Sequence, residues 1–405
     1  MTKLEQLIKE LCPNGVEYKK LGDIATDIFR GAGITRDQVT EEGIPCVRYG
    51  EIYTTYGIYF DTCVSHTDES TIQSKKYFEH GDILFAITGE SVEDIAKSTA
   101  YVGHEKCLAG GDIVVLKHNQ NPKYLSYVLS TTSAQTQKSK GKVKSKVVHS
   151  SVPAIKDIEI PVPPLEVQAE IVKILDEYST SVTALQQELE KELTARKKQY
   201  KYYRDLMLDF GVHGRATDDC EQKTFGEVVT FINGRAYKQA ELLSTGKYKV
   251  VRVGNFFTND KWYYSDLELE ENKYCNYGDL LYCWAASLGP QIWSGEKTIF
   301  HYHIWKLEFD ESKISKKYLY YFLKKDVDDM YDSLTQSTMP HVSMARMKER
   351  VITIPSLTEQ KRIVSILDRF DKLCNDISEG LPAEIEARRK QYEYYRDKLL
   401  TFAPN

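Results

Sequence analysis

The segment Ile160–Phe210 aligns without a gap with Ile352–Phe402, and 22 of the 51 positions are identical. IPVPPLEVQAEIVKILDEY (160–178) matches ITIPSLTEQKRIVSILDRF (352–370), and ARKKQYKYYRD (195–205) matches ARRKQYEYYRD (387–397), both at an offset of 192. A repeat that holds register over such a length is one structural unit built twice. Each copy predicts a long helix. Ile171, Leu175, Tyr178, Val182, Leu185 and Leu189 alternate steps of four and three, the coiled-coil rhythm, and Ile363, Leu367, Phe370, Cys374, Ile377 and Leu381 repeat it. A second step of four, to Leu193 and Ile385, is a stutter. The seam resumes at Arg196, Tyr200, Tyr203 and Met207, mirrored by Arg388, Tyr392, Tyr395 and Leu399. Gly380 and Pro382 predict a kink in the second copy, or two helices end to end. A helix over 165–208 would run about 65 Å at the usual rise, too long for one small domain. The expectation is an antiparallel intramolecular coiled coil. The shared register argues against each helix packing only on its own globule.

The segments ahead of each helix also correspond. KKLGDI (19–24) matches KTFGEV (223–228), HGDILFA (80–86) matches YGDLLYC (277–283), PKYLSYVLS (122–130) matches KKYLYYFLK (316–324), and Arg48 pairs with Arg252 at an offset of 204. His149 pairs with His341, back at 192. Between these landmarks lie short β-branched and aromatic runs with Gly, Asp and Asn turns, the pattern of strands. The fold class is therefore α+β: two similar strand-rich heads, each followed by a long helix. The expected boundaries are 1–159, 160–210, 211–351 and 352–405.

With 405 residues, 41% hydrophobic and 28% charged, the chain has the composition of a soluble multidomain protein. No apolar run reaches the roughly 20 residues of a membrane span, and MTKLEQLIKELCPNG has no secretory h-region. The eight cysteines form no CxxC pair, which fits a reducing cytoplasm. A net charge of −5 excludes a global basic field, so any nucleic-acid contact must use local patches. One such patch is TQKSKGKVKSKVV (136–148), with Lys138, Lys140, Lys142, Lys144 and Lys146 at every second position. An extended strand would put all five on one face, a rail for phosphates; the plain alternative is a solvated loop.

Catalytic signatures are missing. There is no P-loop, no G-x-G-x-x-G after a strand, no nucleophile elbow and no nuclease carboxylate cluster. Pro163-Pro164 lacks the flanking residues of an amino-methyltransferase motif. His301 and His303, in FHYHIW, share a strand face on this reading, but a third metal ligand is not evident, so they read as structural.

Two divergent heads, each followed by a helix bearing PPLEVQ or PSLTEQ, then ILD, then RKQYxYYRD, resemble the DNA specificity subunit of type I restriction–modification systems over essentially the whole chain. STMPHVS (337–343) supports the likeness; the first head has SKVVHSS (145–151) there, so only His149 and nearby hydroxyls carry over. The resemblance implies a non-catalytic chain that contacts double-stranded DNA. It implies two target recognition domains, each reading half of a split site, and helices that dock two methyltransferase subunits and set the spacing. Half-sites on one face of B-DNA lie about 34 Å apart. S-adenosylmethionine, ATP and Mg are then expected in partner subunits, the last two with a restriction/translocase subunit, and no cofactor in this chain. A related bifunctional restriction–methyltransferase enzyme, or a protein scaffold, are the alternatives.

Candidate DNA contacts are the five lysines, Arg30 and Arg235 beside glycines, Arg48 and Arg252 at matched positions, and Gln336, Ser337, Thr338 and His341 in the motif loop. Thr88, Glu90, Ser91 and Ser287 are weaker candidates. Arg196, Lys198 and Arg204, repeated as Arg388, Lys390 and Arg396, are the candidate partner surface.

Overall fold

The computed structural model describes residues 2–139, 142–144, 147–210, 220–257, 259–332, 341–376 and 379–403. They fall into two compact units, 1–188 with 385–405, and 189–384. The boundary cuts the long helix Leu165–Leu208 and the helix Leu381–Leu399.

The first unit opens with the helix Lys3–Leu11, started by a Thr2/Glu5 capping box. Its head holds two five-stranded sheets. One runs in the order 25–30, 113–118, 83–86, 98–101, 59–60, and the other 39–40, 65–67, 44–47, 107–109, 77–78. Val47, Phe78, Leu84, Tyr101 and Val115 fill one core cluster with the helix residue Ile52. Ile83, Phe85, Val114 and Leu116 meet the helices in a second, with Leu4, Tyr124, Val167, Ile171, Leu175 and Leu400. Alternate residues of the shared strands thus serve opposite faces, as the pleat requires.

Among the described residues the second unit repeats this plan with one edge strand fewer per sheet: 229–233, 304–309, 280–283, 289–292, and 263–265, 248–251, 298–300, 274–275. A parallel pair sits inside each second sheet, Ile44–Val47 with Cys107–Ala109 and Tyr248–Val251 with Thr298–Phe300. The core joins Tyr282, Trp305 and Tyr318 to Met207, Leu208, Phe210, Ile363 and Leu367.

The repeated motifs wire head to helix. Gln168 and Gln360 are both fully buried. Gln168 Nε2 donates to Pro163 O and Gln120 Oε1, and its Oε1 accepts from Asn121 N–H. Gln360 Nε2 donates to Pro355 O and Lys313 O, and its Oε1 accepts from Ser315 N–H. The aspartate of each ILD takes the next landmark: Tyr127 Oη and Lys123 Nζ bond Asp176, and Tyr321 Oη and Lys317 Nζ bond Asp368.

Each unit also contains an antiparallel helix pair. In the first, Tyr178 packs on Tyr392 and Tyr395, with ring centroids 5.7 and 5.9 Å apart. In the second, the offset-192 counterparts Phe370, Tyr200 and Tyr203 meet at 6.5 and 5.9 Å. The helices pack on each other as expected, and on their own globules as well. Ile171, Leu175, Ile363 and Leu367 are buried in head cores, while the tyrosine stretches make the helix–helix contact. The second copy is two helices, Leu357–Asn375 and Leu381–Leu399. A Cβ on Gly380 would lie 2.6 Å from Asp376 O, so the break admits no side chain.

Candidate nucleic-acid interface

In each head the first strand, the parallel pair and a short helix converge on one spot, and backbone hydrogen bonds align the two spots residue by residue. Gly31 N–H donates to Ile113 O, Ala32 N–H to Ala109 O and Gly110 N–H to Val47 O. In the second head Gly234 N–H donates to Ile304 O, Arg235 N–H to Phe300 O and His301 N–H to Val251 O. The glycines are sterically required: a Cβ on Gly31 would lie 2.1 Å from Gly110 O, and one on Gly234 2.4 Å from His301 O. Ile87 N–H to Asp112 O matches Trp284 N–H to His303 O, and Ser150 N–H to Ile87 O matches Val342 N–H to Trp284 O. His149 lies opposite Thr88, and His341 opposite Ala285. The triplet Gly110-Gly111-Asp112 therefore occupies the place of His301-Tyr302-His303.

Arg48 and Arg252 each precede the short helix, and each backbone N–H donates to the side chain three residues on, Glu51 Oε2 or Asn255 Oδ1, at 3.0 Å. Glu51 also takes the Arg48 guanidinium at 3.2 Å. Asn255 carries no charge, and the exposed Arg252 guanidinium rests over the Tyr263 ring. Arg30 ends its strand, half exposed, donating to Gly111 O at 2.6 Å and paired with Asp112. Arg235 stands where Ala32 does, not where Arg30 does, and grips Glu241 with two bonds of 2.8 and 2.9 Å. That guanidinium, with the Lys238 N–H, holds the Glu241 carboxyl down at about 2. In the first head a cleft of about 470 Å³ opens between Arg36, Arg48, Tyr49, Gly50, Thr54 and Gly111. Arg36, Tyr49, Trp284 and Tyr302 carry no sequence signal of their own, and FHYHIW reads in the sequence only as a structural histidine pair. The two histidines lie in a turn, not along a strand, with ring centroids 4.9 Å apart. Among the described residues no cluster of three His, Cys, Asp or Glu is placed to hold a metal.

The lysine run needs a correction. Lys138 is the last residue of the helix Thr132–Lys138, and Lys142 and Lys144 lie on the strand Lys142–Lys144, so no single strand carries all five. Lys140 and Lys146 lie outside the described residues, as do Gln336, Ser337 and Thr338. Lys138 is 4% exposed, its Nζ donating to Leu129 O at 2.7 Å and Ser98 Oγ at 3.1 Å, so it is core and not rail. Burial pulls its ammonium down to about 7. An unfolded lysine keeps its proton to about 10.4. Between these values the unfolded state holds the extra proton, so this group makes stability rise with pH. Relative to Lys138→Met, wild-type stability should climb by about 1.4 kcal/mol for each step of one in pH between 7 and 10. Urea titrations of the first unit at pH 7, 8 and 9 would show it; parallel curves for the two proteins would contradict the burial.

The candidate partner residues also divide. Arg204 is 3% exposed and paired with Asp205 and Asp328; Arg396 is 8% exposed and paired with Asp397. These two repeat because they perform the same internal task, which removes them from a docking surface. Arg196 bonds Glu192 and Gln199, Arg388 bonds Gln391, and Lys390 stands 3.6 Å from Glu386. Lys198 and Lys390 remain exposed.

Twin frameworks with unlike faces are the architecture of a chain that recognises two different things in one way. A model of the type I restriction modification DNA specificity domain matches residues 13–195 and again 217–387. The chain is 34% identical over 278 residues to a putative type I restriction enzyme specificity subunit of Haemophilus influenzae, covering 65% of this chain and 68% of that one. It is 31% identical over 278 residues to a type I restriction enzyme specificity subunit of Escherichia coli, covering 61% and 63%. The fold matches a structure from work on assembly and conformational transition of the type I R-M system, with a TM-score of 0.65 at 17% identity over 96% and 98% of the chains. It also matches the HsdS subunit of Thermoanaerobacter tengcongensis, with a TM-score of 0.54 at 15% identity over 96% of each. The class defined is a DNA specificity subunit. The chain belongs to the type I restriction–modification DNA specificity family.

Proposed function

We propose that each head reads one half of a split, asymmetric DNA site. The paired helices set the spacing and dock two methyltransferase subunits, which supply S-adenosylmethionine-dependent methylation of adenine N6. A restriction/translocase subunit using ATP and Mg joins through the complex, in the cytoplasm. The observation that carries this reading is the residue-by-residue match of the two head frameworks with different side chains at their shared open end. A common framework presents each half-site to a common partner, and the differing side chains make the site asymmetric. No helix among the described residues is long and apolar enough to cross a membrane.

The test is to map N6-methyladenine across a genome that holds the cognate methyltransferase subunit, with this chain present or deleted. The expected result is a motif of two short half-sites around a fixed gap, lost on deletion. An unchanged methylome with an active methyltransferase would overturn the reading and favour a protein scaffold.

A further inference from the structure

We propose that the turn His301-Tyr302-His303, walled by Trp284, is the base-reading surface of the second head, and that the two half-sites differ because the first head has Gly110-Gly111-Asp112 there. This rests on the DNA-recognition reading above. The turn is held rigidly. Tyr302 N–H donates to Arg235 O, Trp284 N–H to His303 O, and Trp284 Nε1–H to Tyr302 O at 2.8 Å. The rings form one array: Tyr302 lies 4.0 Å from His303 and 4.5 Å from His301, and Trp284 meets His303 edge-on at 5.0 Å. Behind them Trp284 stacks on Trp305 at 5.8 Å. Two residues beyond Trp284, Ala286 has φ 69, a strained backbone of the kind that persists where function requires it.

The chemistry suits base edges better than phosphates. Burial first, then His303 and Arg252, lowers His301 to about 4, and burial lowers His303 as well. Both imidazoles are therefore neutral at neutral pH, each with one donor and one acceptor, which is what a groove edge presents; His301 Nδ1 already accepts from His303 N–H at 3.5 Å, which leaves both His303 nitrogens and His301 Nε2 for that role. Tyr302 is 38% exposed. Positive charge stands at the border instead, on exposed Arg252, where it suits the backbone. In the first head the same place has no ring, and Asp112 neutralises Arg30.

The experiment is selection of randomised duplex DNA by the chain assembled with its methyltransferase subunits, comparing wild type with Tyr302→Ala and His303→Ala. Wild type should select a split motif; if it selects none, the DNA-recognition reading itself has failed. The variants should lose about tenfold or more in base discrimination within one half-site and keep the other unchanged. The retained half reports that the complex is folded. Uniform weakening across all sequences, or an unaltered motif, would overturn the proposal. Should either alanine variant lose all binding, Tyr302→Phe and His303→Asn decide: an unaltered motif in both overturns it.

Discussion

Gln360→Leu should destabilise the second unit by about 3 kcal/mol or more. The substitution preserves apolar volume but strands three backbone groups, the carbonyls of Lys313 and Pro355 and the N–H of Ser315, now bonded at 2.8 to 2.9 Å. Each buried group left without a partner costs about 1–3 kcal/mol. Water cannot replace the bond to Pro355 O, which is buried; those to Lys313 O and Ser315 N–H are part-buried. All four tryptophans, Trp262, Trp284, Trp293 and Trp305, belong to the second unit, so their fluorescence during urea unfolding reports it selectively. Gln168→Leu strands Pro163 O, Asn121 N–H and the Gln120 side-chain oxygen in the first unit, and should leave the tryptophan transition nearly in place. A loss below about 1 kcal/mol for Gln360→Leu would mean that the glutamine does not clamp head to helix.

The same side chains explain what was legible in the sequence. The repeat was readable because PPLEVQ and PSLTEQ, the ILD aspartates and the KYL landmarks are one set of contacts made twice, and contacts between distant segments hold their residue types. That also explains the misjudged arginines. Arg204 and Arg396 looked like a shared docking face because they recur off the seam, yet each sits over the tyrosine four residues earlier, Tyr200 or Tyr392, and pairs with the next aspartate. Recurrence alone does not separate an internal task from an external one; burial does. Lys138 misled for a related reason: the period-two lysines suggested a strand, but Thr131 caps a helix that carries Lys138 into the core. The unlike faces were illegible because the heads align by backbone hydrogen bonds across insertions. Only the register that sets Gly110 against His301 shows that GGD and HYH share one place.

Deleting residues 399–405 should selectively undo the first unit. Leu400 is 4% exposed in the cluster with Leu4 and Val16, and Leu399 and Phe402 pack against it. Val16 N–H donates to Ala403 O, and Tyr18 Oη donates to Phe402 O at 3.1 Å. Burying one leucine contributes about 1.5–3 kcal/mol, and the stranded polar groups add about 1 kcal/mol or more each, so the loss should reach about 4 kcal/mol. In the second unit the offset-192 counterparts Met207, Leu208 and Phe210 are supplied by the end of the helix that leads into that head and the residues just after it, within a continuous stretch of chain. The first unit instead must close a loop spanning 384 residues to bring Phe402 to Tyr18. Loop closure of that length is paid before its contacts form, so the first unit should also consolidate later in refolding. Amide exchange at Val16–Lys20 measures the effect: these amides should lose protection in the truncated chain while Tyr248–Val251 and Ile304–Phe309 keep theirs. Unaltered protection at Val16–Lys20 would show that the first head is stable without the far end of the chain.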